Sequence, residues 1–139
     1  MSQEGGAAMI THIGTTSVYV SDQDRALDFY VNKLGFEKRH DEPMGPDAPR
    51  WIEVAPSGAQ TGLVLYKPTP EMPGASTYDA ALANIGKFTS FIFNVDDMNA
   101  THQALSARGV EFADQPAQQF WGWWATIKDP DGNVIGLHA

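Results

Sequence analysis

A chain of 139 residues that is 42% hydrophobic and 19% charged has the composition of a folded domain, or of two small halves around one core. It contains no cysteine, which removes disulfides, thiolate nucleophiles, iron–sulfur clusters and cysteine-ligated zinc, and fits a cytoplasmic location. A net charge of −8 with no basic run beyond "EKRH" argues against nucleic acid as a partner, and no apolar run reaches the ~20 residues of a membrane span. The opening "MSQEGGAAMITH" has neither the basic nor the apolar segment of an export signal, so residues 1–9 are expected to form a flexible leader.

In chain order, the first strand is expected over 14–20 ("GTTSVYV"), followed by Ser21 or Asp22 as the cap of a helix. Within that helix Leu27, Tyr30, Val31 and Leu34 fall at i, i+3, i+4 and i+7 and predict one apolar stripe, with Gly35 placed to end it. Three short strands follow at about 36–40, 50–55 and 62–67. Residues 68–87, rich in Pro, Ala and Gly, read as a linker rather than a lid, with Ser76 and Asp79 able to cap a short helix through 79–84. The order then repeats. A strand at 88–95, an Asp96 or Asp97 cap and a helix ending at Gly109 precede strands at 110–113, 120–128 and 133–138.

The repetition has a fixed spacing. Asp22 and Asp96, Gly35 and Gly109, Pro56 and Pro130, and Gly58 and Gly132 each lie 74 residues apart (96 − 22, 109 − 35, 130 − 56, 132 − 58). Four coincidences across helices and loops predict a duplicated βαβββ unit, 10–67 and 88–139, within one α+β domain. In "DPDGN" a three-residue loop of Pro130, Asp131 and Gly132 would pair 127 with 135, 126 with 136 and 124 with 138. Cross-strand partners share a face, so Trp124, Thr126, Gly136 and His138 are expected on one side. Trp123, Ala125, Ile127, Ile135 and Leu137 are expected beneath the helices.

The helix "ALDFYVNKLGFE" and the hairpin "DPDGN", within a twice-repeated βαβββ unit, resemble the vicinal oxygen chelate superfamily. That group includes glyoxalase I, bleomycin-resistance proteins, fosfomycin-resistance enzymes and extradiol dioxygenases. The resemblance implies two curled mixed sheets around a cup, commonly in a homodimer, and in the enzymes one divalent metal held by His, Glu or Gln side chains. It places the four ligand positions at Thr15, within 61–66 ("TGLVLY"), at Ser90 and at Gly136. None of these supplies a strong metal ligand. The histidines do not obviously rebuild a site. His12 falls on the opposite face of its strand, His40 ends a short strand, His102 faces solvent on its helix, and His138 alone points into the cup.

These positions predict a metal-free protein without a cofactor, its cup lined by Thr15, Trp51, Leu65, Ser90, Trp121, Trp124, Thr126, Gly136 and His138. A glycine at 136 in place of an acid is expected to widen the floor by a whole side chain. Tryptophans in "FWGWWATIK" would stack on an aromatic or cationic guest. Bleomycin-resistance-like sequestration of a small molecule is the preferred function. Two readings stand beside it: a glyoxalase-like lyase or isomerase, or a dioxygenase-related enzyme, working without the metal quartet and with His138 as base, and a non-catalytic scaffold.

Overall fold

The computed structural model describes residues 8–72 and 78–139. Eight strands form two four-stranded mixed sheets, one per repeat. In the first, β1 (Thr15–Tyr19), β2 (Glu37–Pro43), β3 (Arg50–Ala55) and β4 (Gly62–Tyr66) lie in the order β1-β4-β3-β2. In the second, β5 (Phe88–Asn94), β6 (Glu111–Gln119), β7 (Gly122–Lys128) and β8 (Val134–His138) lie in the order β5-β8-β7-β6. In each sheet the first strand runs parallel to the last and the other pairs are antiparallel. Helix α1 (Gln23–Leu27) continues as a π-helical segment, Asp28–Lys33; α2 (Tyr78–Ala83) lies between the units; α3 (Met98–Ala107) follows β5. The cap expected at Ser76 lies outside the described residues.

Helix starts follow from side-chain chemistry. Asp22 accepts the backbone N–H of Arg25 at 3.0 Å, and Asp97 accepts that of Ala100 at 3.0 Å. Gly35 and Gly109, with φ of 83° and 84°, end the two helices in a conformation that favours glycine. From cap to glycine the first helix spans 13 positions (35 − 22) and the second 12 (109 − 97). The extra residue is absorbed by the π-helical turn, in which the Leu34 N–H donates five residues back to Phe29 O at 3.0 Å. This changes the predicted stripe. Ala26, Phe29 and Tyr30 are buried, while Leu27, Val31 and Leu34 are only partly buried against the core.

Two strands exceed their predicted lengths. β6 runs to Gln119 because its pairing with β7 survives two register shifts, and β2 runs to Pro43 past a bulge between Lys38 and His40. His40 therefore sits within a strand, exposed, with its ring 3.2 Å from Glu42. The "DPDG" turn closes as expected, with the Asp129 N–H donating to Asn133 O at 3.0 Å and the Gly132 N–H to Asp129 O at 2.9 Å.

One core serves both units: Ile52, Leu65 and Val20 from the first join Ile127, Ile135 and Leu137 from the second, and all are nearly inaccessible to solvent. The same turn bolts the units together. Tyr30 donates its hydroxyl to Asp129 at 2.9 Å, and the Asn133 amide donates to Asp129 at 2.8 Å and to Tyr19 O at 3.0 Å. Asp131 accepts the Ser21 N–H at 3.0 Å and pairs with Arg25 at 3.2 Å. Burial pushes the Asp129 carboxyl above its ordinary range despite these donors, and burial beside Asp129 pushes the Tyr30 phenol up.

Candidate ligand-binding site

Alternation sorts each sheet into a helix-facing side and an open side. On the second sheet Thr126 pairs with Gly136 and Trp124 with His138, as the turn geometry requires. Ala125, Ile127, Ile135 and Leu137 are buried in the core, with Trp123 packed against it. The open side carries the other set. It is aromatic.

Gly136 is not a gap on that side. A Cβ built on it would lie 2.3 Å from Cη2 of Trp124 and 2.9 Å from both Cζ2 and Cζ3. The indole crosses the glycine diagonally and occupies the space a side chain would fill. The expected widening of the floor is therefore corrected: the floor is the indole itself. Trp121 meets Trp124 edge to face at 5.6 Å between ring centroids, and Phe88 lies 6.4 Å from Trp124. The His138 ring lies 5.8 Å from Trp121, with Nε2 3.3 Å from Trp121 O. Gly122 makes this corner possible: with φ of 126°, a Cβ there would sit 2.6 Å from Ala139 O.

Other predicted positions fall differently. The Thr126 hydroxyl is committed to Asp114, donating to its carboxylate at 2.8 Å and accepting its N–H at 2.9 Å. A register shift in β5 sets Ile92, not Ser90, opposite Gly136; Ser90 is exposed two residues earlier. Leu65 is fully buried on the helix-facing side, because it pairs with Val18 and joins the core. On that strand Gly62, Val64 and Tyr66 face the open side instead, opposite Thr15, Ser17 and Tyr19. Trp51 does face it, in a cavity of about 600 Å³ with Val64, Tyr66, Met44 and Met72. Thr15 and Trp51 thus belong to the first sheet, apart from the Trp121–Trp124–His138 cluster.

The repeats correspond more closely in space than the spacing of 74 suggests. Val20 and Val95 each donate to the last strand of their unit, at Tyr66 O and His138 O, so these acceptors match at 72 residues (138 − 66). Glu53 pairs with Val64 as Thr126 pairs with Gly136, so Glu53 is the counterpart of Thr126, and Trp51 of Trp124. Glu53 also leans across a glycine. A Cβ on Gly62 would lie 2.1 Å from its Oε2. Sequence reasoning named Trp51 and passed over Glu53, although the alternation Trp51, Ile52, Glu53, Val54 points both outward; it missed Phe88 as well.

A larger cleft of about 800 Å³ lies on the helix-facing side between the units, walled by Leu34, Phe36, Phe91, Phe93 and Leu105. Of the predicted positions only the start of the stretch 61–66 reaches it, through Thr61, Gly62 and Leu63, and it is formed by the edges of the core. Among the described residues no group of three or more His, Asp or Glu side chains could hold a metal. His12 contacts Thr11, and His102 packs against Phe112 with ring centroids 4.7 Å apart. The residues present do not fit the divalent metal of the related enzymes.

Two βαβββ units with this strand order define the fold, and the profile of the Glyoxalase/Bleomycin resistance protein/Dioxygenase superfamily matches residues 10–137. The chain belongs to that superfamily. It is 43% identical over 129 residues to the uncharacterized protein YetH of Bacillus subtilis (strain 168), covering 93% of this chain and 98% of YetH. Among solved structures it is similar to TnmS3, an antibiotic binding protein from Streptomyces sp. CB03234 (40% identity, TM-score 0.74, covering 95% of this chain and 98% of TnmS3). It is also similar to a superfamily member from Sphaerobacter thermophilus DSM 20745 (35% identity, TM-score 0.79, covering 94% and 98%). No helix among the described residues is long and apolar enough to cross a membrane.

Proposed function

We propose that this chain is a metal-free small-molecule-binding protein that sequesters an aromatic or cationic guest in an apolar cup without transforming it. One observation carries this: Trp124 seated on Gly136, with Phe88, Trp121 and His138 beside it, where related enzymes would place a metal-binding carboxylate. An aromatic surface with few polar groups suits stacking. Similarity to an antibiotic binding protein supports the same reading. His138 serves as a polar contact for the guest, since its hydrogen-bond partner is the Trp121 carbonyl and, among the described residues, no carboxylate bonds it to orient it as a base.

The cup is completed in a homodimer. Phe88 is 57% exposed, Ile92 50% and Trp121 46%, an apolar cluster that a second copy would cover. Setting the first sheet of one protomer over the second sheet of its partner would bring Trp51 and Tyr66 opposite Trp124. A cytoplasmic location accords with a cysteine-free chain. Native mass spectrometry of freshly purified protein tests the function: a small organic molecule should ride with the dimer and leave on Trp124→Ala. A metal adduct in its place would contradict the reading.

A further inference from the structure

We infer that Glu53 anchors a protonated amine on the guest, so that the cup selects aromatic ammonium ions over neutral aromatics of the same shape. The inference rests on the binding function proposed above. Glu53 is half-buried on the open side of the first sheet, its carboxylate lying flat over the α-carbon of Gly62. Among the described residues its side chain forms no hydrogen bond and no ion pair. Two basic side chains on β2 and β3 are engaged elsewhere: Arg50 binds Asp24 at 2.8 Å and Asp41 at 2.9 Å, and His40, opposite Glu53 across the ladder, turns to Glu42 at 3.2 Å.

A partly desolvated carboxylate without a partner is costly, and a cation that pairs with it recovers that cost. A metal ion would need about three protein ligands, and although His40 and Glu42 lie on the neighbouring strand, among the described residues no group of three or more His, Asp or Glu side chains could hold one. An ammonium needs only one carboxylate and an aromatic wall. Trp51, two residues away on the same face, and Tyr66, two beyond Val64, offer such walls. Gly62 is part of the device. Any larger residue there would push the carboxylate from its seat.

The test compares two tricyclic probes of nearly equal shape at pH 8, 9-aminoacridine, which is cationic, and acridine, which is neutral, by saturable quenching of tryptophan emission. The wild-type protein should bind the cation about five- to twentyfold more tightly, a preference typical of a charge-assisted contact. In Glu53→Gln this ratio should fall towards one. Gly62→Ala keeps the charge but displaces the carboxylate, and should lower the ratio as well. Glu111→Gln, which removes an exposed acid paired with Lys128, should keep the wild-type ratio. Thermal melts identify any variant that fails to fold. If both probes bind and the ratio is unchanged in Glu53→Gln, the anchor is wrong while the aromatic cup stands. If the ratio falls equally in Glu111→Gln, general attraction to the −8 chain replaces the anchor. If neither probe quenches saturably, the binding reading fails and the anchor with it.

Discussion

The indole of Trp124 lies across the α-carbon of Gly136, so close that a Cβ on the glycine would fall 2.3 Å from the ring. The first sheet repeats the device with Glu53 over Gly62, each long side chain reaching a glycine two residues before its cross-strand partner. Gly136→Ala should therefore tilt the indole out of place. The clash is with the far edge of the ring, so the fold survives, and an aromatic guest loses about three- to tenfold in affinity, the worth of one stack. Gly136→Glu should do the same more severely. Unchanged affinity in both variants would show that the indole is not the floor.

The buried contact between Tyr30 and Asp129 carries a second prediction. Asp129 accepts from the Tyr30 hydroxyl, the Asn133 amide and the backbone N–H groups of Asp131 and Asn133. Asp129→Ala leaves these donors unpaired and should cost about 2–4 kcal/mol in urea unfolding. The pH dependence has a definite sign. Burial raises the folded carboxyl above the ordinary value of 3.8, so the folded form takes up a proton more readily than the unfolded chain. Its contribution is fully present below 3.8 and is lost as pH rises through the folded value. Relative to Asp129→Asn, the wild-type protein should lose stability over that window. A parallel pair of curves would contradict this.

Much of this arrangement is legible in the sequence, for reasons that are local. The turn "DPDGN" sets the pairing of Trp124 with His138 because a three-residue loop admits one register. Helix ends at Gly35 and Gly109 follow from glycine's tolerance of positive φ. Other features depend on contacts that sequence spacing does not carry. The π-helical turn answers to one residue between cap and glycine, visible only when the two helices are measured from Asp22 and Asp97. Ser90 shifted because β5 bulges, and Leu65 moved to the core because all of "GLVL" is buried, which hides the alternation. Where a long side chain leans, as with Trp124 and Glu53, is settled by the empty space above a neighbouring glycine.

Metal loading gives a further outcome. Protein purified without chelator and dialysed against zinc, nickel, manganese or iron should retain well under one equivalent, because Thr15, Ser90, Gly136 and the stretch 61–66 offer no imidazole or carboxylate. One tightly held ion per chain, lost on His138→Ala, would contradict that.

The exposed cluster of Phe88, Ile92 and Trp121 predicts association. Sedimentation at micromolar concentration should give a dimer, and Trp121→Asp should shift it towards monomer by placing a charge in the apolar patch. A wild-type monomer under those conditions would leave the two open faces as separate surfaces.

The measurement that bears most directly on the proposed function is a titration of tryptophan emission with a planar cationic antibiotic, in wild-type protein and in Trp124→Ala. The wild type should quench saturably, and Trp124→Ala should weaken binding about three- to tenfold, more than Trp51→Ala does. No saturable quenching across a broad panel of such compounds, or equal affinity in Trp124→Ala, would contradict a guest stacked on the Trp124 floor.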